Sequence, residues 1–330
     1  MHALVYPPTM LRGDGLTPDY PLDAPLAHRR WWQHPMARFA AFLVLLFVTA
    51  TLLQIPALFA PDNDNIFVTM YLAVAIIAAA VLSYWVTVRF IERRPMFELS
   101  PRRAGGLLVG LLVGIVCFTV VLLAVWAFGG IFFLGTGFPT ASSLVTLLFS
   151  AGFTAGIVEE ILMRGMLLRL LEEFLGTWWA IIGSGFIFGM MHMGNTNATW
   201  LSATSIALQA GLLFGALYCL TRNLWLCIGL HFAWNMLQGL FGIAVSGNAV
   251  AGFIRTEAVG NDLISGGAFG LEGSLITTVL LGAFAIAVMW QIHRRDLVIS
   301  PMWSRAAATA DRADGPTPAK VADPKPHQLP

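Results

Sequence analysis

Three ionisable residues interrupt a stretch that otherwise has the composition of a membrane-spanning helix, Ala155-Gly156-Ile157-Val158-Glu159-Glu160-Ile161-Leu162-Met163-Arg164. A charged side chain in hydrocarbon costs at least ~2.5–3.5 kcal/mol even on lenient insertion scales, so three together require partners and a use. Glu160 and Arg164 are four residues apart and share a helix face, where they can pair. Glu159 is rotated about 100° away and is left free for another task.

Two further apolar segments carry polar residues of complementary type. Phe188 and His192 are four apart, so the phenyl ring can pack beside the imidazole, and His231 and Asn235 share a face in the same way. A carboxylate, two imidazoles and an amide on three separate helices can activate water. A carboxylate with an imidazole partner can take a proton from water, and a second imidazole with an amide can donate to the oxyanion formed on a carbonyl. The result is a peptidase without a serine or cysteine nucleophile. No G-x-S-x-G elbow lies near these residues, and H-E-x-x-H is excluded because Phe232 follows His231.

The elements that must position these groups follow from composition. Of 330 residues, 57% are hydrophobic and only 11% charged, with a mean hydropathy of +0.74. A soluble domain has about 25% charged residues, so the fold class is all-α, a polytopic membrane helix bundle. The net charge of +1 and the lack of a basic stripe argue against a nucleic-acid partner. Cys117, Cys219 and Cys227 all lie in apolar runs and read as buried thiols. About eight spans are expected, near 37–60, 65–90, 105–134, 141–171, 177–194, 201–220, 224–245 and 272–292. Pro56 should kink the first. Gly106, Gly110 and Gly114 on the third, and Gly211 and Gly215 on the sixth, should let helices approach closely.

The short loops set the orientation. Arg89, Arg93, Arg94, Arg102 and Arg103 follow the second span, Arg222 the sixth, and Arg294 and Arg295 the eighth, whereas Asp62 and Asp64 precede the second. The positive-inside rule then places both termini in the cytoplasm of an integral protein of the plasma (inner) membrane. Residues 1–36 read as a cytoplasmic Pro-rich tail, 37–295 as the membrane domain and 306–330 as a disordered cytoplasmic tail, while 246–272 reads as an excursion on the outer face. The site is expected in a cavity opening to the cytoplasmic leaflet. From the cytoplasmic helix ends, Glu159 and His192 lie ~18 and ~22 Å deep but His231 only ~10 Å, so a common site needs tilt or longer helices.

Together, Glu159-Glu160-x-x-x-Arg164, Phe188-x-x-x-His192 and His231-x-x-x-Asn235, in order on separate spans within about 140–245, resemble the three motifs of the CPBP intramembrane proteases. That family includes type II CAAX prenyl endopeptidases and bacteriocin-processing and self-immunity proteins. The resemblance implies an intramembrane endopeptidase in which Glu159 and His192 activate water and His231 with Asn235 hold the oxyanion. Glu160 and Arg164 would support Glu159 structurally. Whether a metal takes part is left open by the resemblance: Glu159, His192 and His231 could form a three-ligand zinc site, and carboxylate with imidazole could also suffice without one. The substrate would be a peptide or a lipidated protein segment reached from the bilayer. Two other functions share these residues, a proton- or ion-coupled transporter and a non-catalytic immunity or scaffold protein. No pair of inverted, broken helices marks the transporter.

Overall fold

A computed structural model describes residues 31–60 and 65–304 of the chain. Residues 1–30 of the N-terminal tail, Asp62 and Asp64, and the tail 306–330 lie outside the described residues. Eight long helices run between two ends of one bundle: α1 (Pro35–Phe59), α2 (Ile66–Ile91), α3 (Gly105–Ala127), α4 (Ala141–Leu175), α5 (Thr177–Met191), α6 (Trp200–Thr221), α7 (Leu224–Leu240) and α8 (Leu275–Arg294). All except α5 and α7 are long and apolar enough to cross a membrane. The chain is an all-α integral membrane protein.

Local chemistry accounts for most helix boundaries. His34, Asn65, Thr140, Thr199, Asn223 and Ser274 each cap a helix start by accepting from a backbone N–H of its first turn. Around Pro56, which has no N–H to donate, α1 tightens into a final 3₁₀ stretch over Ile55–Phe59.

Three boundaries differ from the sequence expectation. Helix α3 stops at Ala127 instead of continuing to 134, because Gly129 turns the chain with a φ of +74°. Residues Ile131–Thr136 then form β1, which pairs antiparallel with β2 (Ile254–Ala258), Ile131 opposite Ala258. The excursion at 246–272 is therefore ordered structure tied to the end of α3. Helices α5 and α7, at 15 and 17 residues, are shorter than expected, spanning about 22 and 26 Å against a ~30 Å hydrocarbon core. The last turn of α5 gives way to a 3₁₀ turn at His192–Gly194, and α7 ends before Gly242 at a φ of +66°.

The glycine seam on α3 places α7, the central helix. A Cβ on Gly110 would sit 2.0 Å from the Leu226 carbonyl oxygen, and one on Gly229 only 2.3 Å from that of Leu107. Backbones that close need hydrogen in place of a side chain. Helix α7 is thus pressed against α3 on one side and α4 on the other, with its polar face turned to α4.

Candidate active site

Helix α4 carries the two carboxylates through an unusual conformation. Over Thr146–Glu159 and Ile161–Leu168 its hydrogen bonds run from i to i+5, a wide-turn geometry that is rare and concentrates at functional sites. Residues four apart drift by about 40° per step on a 3.6-residue helix. Wider turns reduce that drift, and Ser143, Leu147, Ala151, Ala155 and Glu159 all line one cleft. They also rise less per residue, which brings Glu159 closer to the arginine end than its residue count would on an α-helix. Glu172 on α4 and Arg222, just before α7, are bonded at 2.8 Å. From there α4 uses thirteen residues to reach Glu159, while α7 uses nine from Arg222 to reach His231.

At the foot of the cleft His231 lies between the carboxylates. Its Nδ1 is 2.9 Å from Glu160 Oε1, and its Nε2 is 4.0 Å from Glu159 Oε2. With Nδ1 bonded to Glu160, His231 turns its Nε2 toward Glu159. At 4.0 Å the two atoms are too far apart for a direct hydrogen bond. Glu160 Oε1 also accepts from Arg164 Nη1 at 2.9 Å, so one buried carboxylate oxygen organises both a cation and an imidazole. Arg164 is further held by the Ala210 carbonyl, at 3.1 Å from Nη2, and between the Phe188 and Phe214 rings, whose centroids lie 4.7 and 5.0 Å from its guanidinium carbon. The Glu160–Arg164 pair expected from spacing is present. Its support passes through His231, across α4 and α7, which spacing alone does not reveal.

His192 and Asn235 border the same cleft. The His192 ring stands edge-on to Phe188 at 4.7 Å between centroids, and its Nδ1 is 2.7 Å from the Phe188 carbonyl oxygen, which leaves Nε2 as its outward atom. Asn235 donates from Nδ2 to the Ala151 carbonyl at 2.8 Å, and its Oδ1 has no hydrogen-bond partner. Glu159 Oε2 and Glu160 Oε2 are likewise buried atoms without a partner. Such orphans are costly in a folded interior and collect where a ligand or water completes them.

The cleft holds about 550 Å³, within the usual range for a binding site. Its exposed lining is at Ser142, at the start of α4, and in the segment 245–251. That is the end of the bundle opposite Arg89, Arg102, Arg222 and Arg294. Helix α4 is packed shut by Glu172 and Glu173 at the arginine end and open at its first turn.

The wall at 245–251 rests on residues that sequence reasoning missed. Glu272, at the mouth of α8, accepts from Trp234 Nε1 at 2.8 Å, Gln238 Nε2 at 3.2 Å and Ser246 Oγ at 2.6 Å. Asn195, three residues past His192, donates to the Ser246 carbonyl at 3.0 Å and also faces the cleft. The only sequence signal was a lone carboxylate, Glu272, beside an apolar span. Among the described residues, no three His, Cys, Asp or Glu side chains are grouped as a metal would need.

The wide-turn helix, the Glu160-backed imidazole and the three motifs all fall between α4 and α7. Residues 141–237 match the family model for type II CAAX prenyl endopeptidase Rce1-like proteins. The match starts with α4 and ends two residues beyond Asn235, so it contains every motif residue and omits α1–α3 and α8. It is the same protease family that the motifs resemble. No curated protein matches the chain.

Proposed function

We propose that the protein is an intramembrane endopeptidase that hydrolyses a peptide bond with water activated by Glu159. The observation that carries this reading is the pairing of an unpartnered Glu159 oxygen with a Glu160-anchored His231 at the foot of a cleft that His192 and Asn235 also line. A brace would have its charges satisfied, whereas Glu159 Oε2 has no hydrogen-bond partner.

In the proposed scheme Glu159 accepts a proton from the attacking water, with His192 as the second group on that water. The water oxygen bonds to the scissile carbonyl carbon, and the carbonyl oxygen becomes an oxyanion. His231, carrying a proton on Nε2 with Glu160 behind it, and an Asn235 N–H donate to that oxyanion. Glu159 then returns its proton to the amide nitrogen as the C–N bond breaks. Exchange of the two imidazoles is a second assignment, favoured by the 4.0 Å approach of His231 to Glu159. A peptide ketone that hydrates to a tetrahedral adduct separates them. Replacing the oxyanion donor should weaken this inhibitor more than the substrate, while replacing the water partner should lower kcat.

The scheme routes no step through a metal. Activity in proteoliposomes should survive a strong chelator; loss reversed by added zinc would return the metal to the mechanism. The deciding experiment compares wild type with Glu159→Gln on membrane-presented leader peptides and a prenylated C-terminal peptide. Cleavage lost with the fold intact supports the peptidase. Glu159-dependent proton or solute flux without cleavage would sink it in favour of a transporter, and a function untouched by the substitution in favour of a scaffold.

A further inference from the structure

The two ends of the bundle differ in charge as sharply as in shape. At one end Arg89, Arg93, Arg102, Arg294 and Arg295 are exposed, joined by Arg103, which donates to the carbonyls of Thr221 and Arg222. At the other end, among the described residues, the exposed cation is Arg255, offset by Glu257 and Asp262. Arginine is held on the cytoplasmic side during insertion, and the bias here is counted over short segments next to the spans, where the rule applies. The cleft opens at the arginine-poor end. Its mouth is formed by Ser142 and Ser143 at the start of α4 and by Asn248 and Ala249 of the wall that follows α7. From Glu159 the rest of α4, with the buried Arg169–Glu92 and Arg222–Glu172 pairs, closes the path toward the arginine end.

We propose that the cleft takes its substrate from the non-cytoplasmic side of the membrane: a polypeptide segment exported to that face or lying in that leaflet, and not a lipidated C-terminus presented from the cytoplasm. This rests on the peptidase reading for what is done to the substrate, but the direction of access rests on charge and cleft geometry alone.

Sidedness can be read without any cleavage. The native thiols Cys117, Cys219 and Cys227 are all buried, so a single added cysteine reports cleanly on its own exposure. Ala249→Cys places it at the mouth, and Arg102→Cys at the other end, both at exposed positions. In sealed right-side-out membrane vesicles, a membrane-impermeant maleimide should label Ala249→Cys before permeabilisation and Arg102→Cys only afterwards. In inside-out vesicles the order should invert. Ser143→Cys and Arg295→Cys form a second pair should either of the first fail to fold. Labelling of the arginine-end cysteine from outside, with the mouth protected, overturns the proposal. Because the readout is labelling, its failure is distinct from a failure of the peptidase reading.

Discussion

The arginine-bearing end and the cleft end use the same residue types and treat them in opposite ways. At the first, Glu92 takes Arg38 at 3.0 Å and Arg94 and Arg169 at 2.8 Å, Glu98 takes Arg94 at 2.8 Å, and Glu172 takes Arg222. At the second, Glu159 leaves one buried oxygen without a hydrogen bond, and Asn235 does the same. A buried carboxylate surrounded by guanidinium groups is fixed and spent. One left open beside an imidazole retains the capacity to exchange a proton. The motif Glu159-Glu160 contains both kinds in adjacent residues: Glu160 is bound to Arg164 and His231, while Glu159 faces the cleft.

Breaking the open side should produce the largest effect. Glu159→Gln removes the proposed base and should lower the cleavage rate by roughly 10²–10⁴-fold. Its unfolding midpoint in detergent should stay close to wild type, because the lost charge makes no hydrogen bond and approaches His231 only to 4.0 Å. A midpoint that falls together with activity would place Glu159 among the braces.

The closed side should respond in the reverse sense. Glu92→Gln leaves Arg38, Arg94 and Arg169 short of a counter-charge and should cost about 3–5 kcal/mol of stability, with cleavage per folded molecule unchanged. Burial works to raise the Glu92 carboxyl, but the Arg169, Arg94 and Arg38 guanidinium groups outweigh it and hold the group at about 2, below its ordinary 4.5. A lowered carboxylate contributes stability that is fully present above its ordinary value and disappears as pH falls through the folded one. Acid unfolding monitored between pH 4.5 and 2 should therefore show a Glu92-dependent loss that Glu92→Gln abolishes.

Glu160→Gln tests the junction of the two. It keeps an acceptor for His231 but weakens a charge-assisted bond worth about 1.5–3 kcal/mol, so kcat should drop on the order of 10- to 100-fold with a smaller loss of stability than Glu92→Gln. Ser246→Ala should have the smallest effect. Releasing Ser246 Oγ from Glu272 loosens the cleft wall, and KM should rise several-fold while kcat holds, since no reacting group moves. A change in kcat instead would bring Glu272 and its partners into the chemistry.

Much of this organisation is readable in the sequence because it is local. Apolar runs long enough to span a bilayer must satisfy their backbone groups internally, which makes them helices. Spacing of four along such a helix predicts Glu160–Arg164 and the packing of Phe188 beside His192, both present. Close-packed glycines on α3 likewise announce a tight helix contact. What the sequence leaves undetermined joins residues far apart in the chain. The hydrogen bond from His231 to Glu160 spans 71 positions, that from Ser246 to Glu272 spans 26, and β1 meets β2 across three intervening long helices and α7. Periodicity states which face of a helix is polar, but it carries no information on which other face it meets, at what depth, or which end of the bundle is left open. Those are decided by the α3–α7 seam, the wide turns of α4 and the loop that returns after α7. Sequence determined the helices and which polar residues they carry; tertiary packing decided that Glu160 would hold His231, that Glu159 would keep an oxygen without a hydrogen bond, and that their cleft would reach the end away from the arginines.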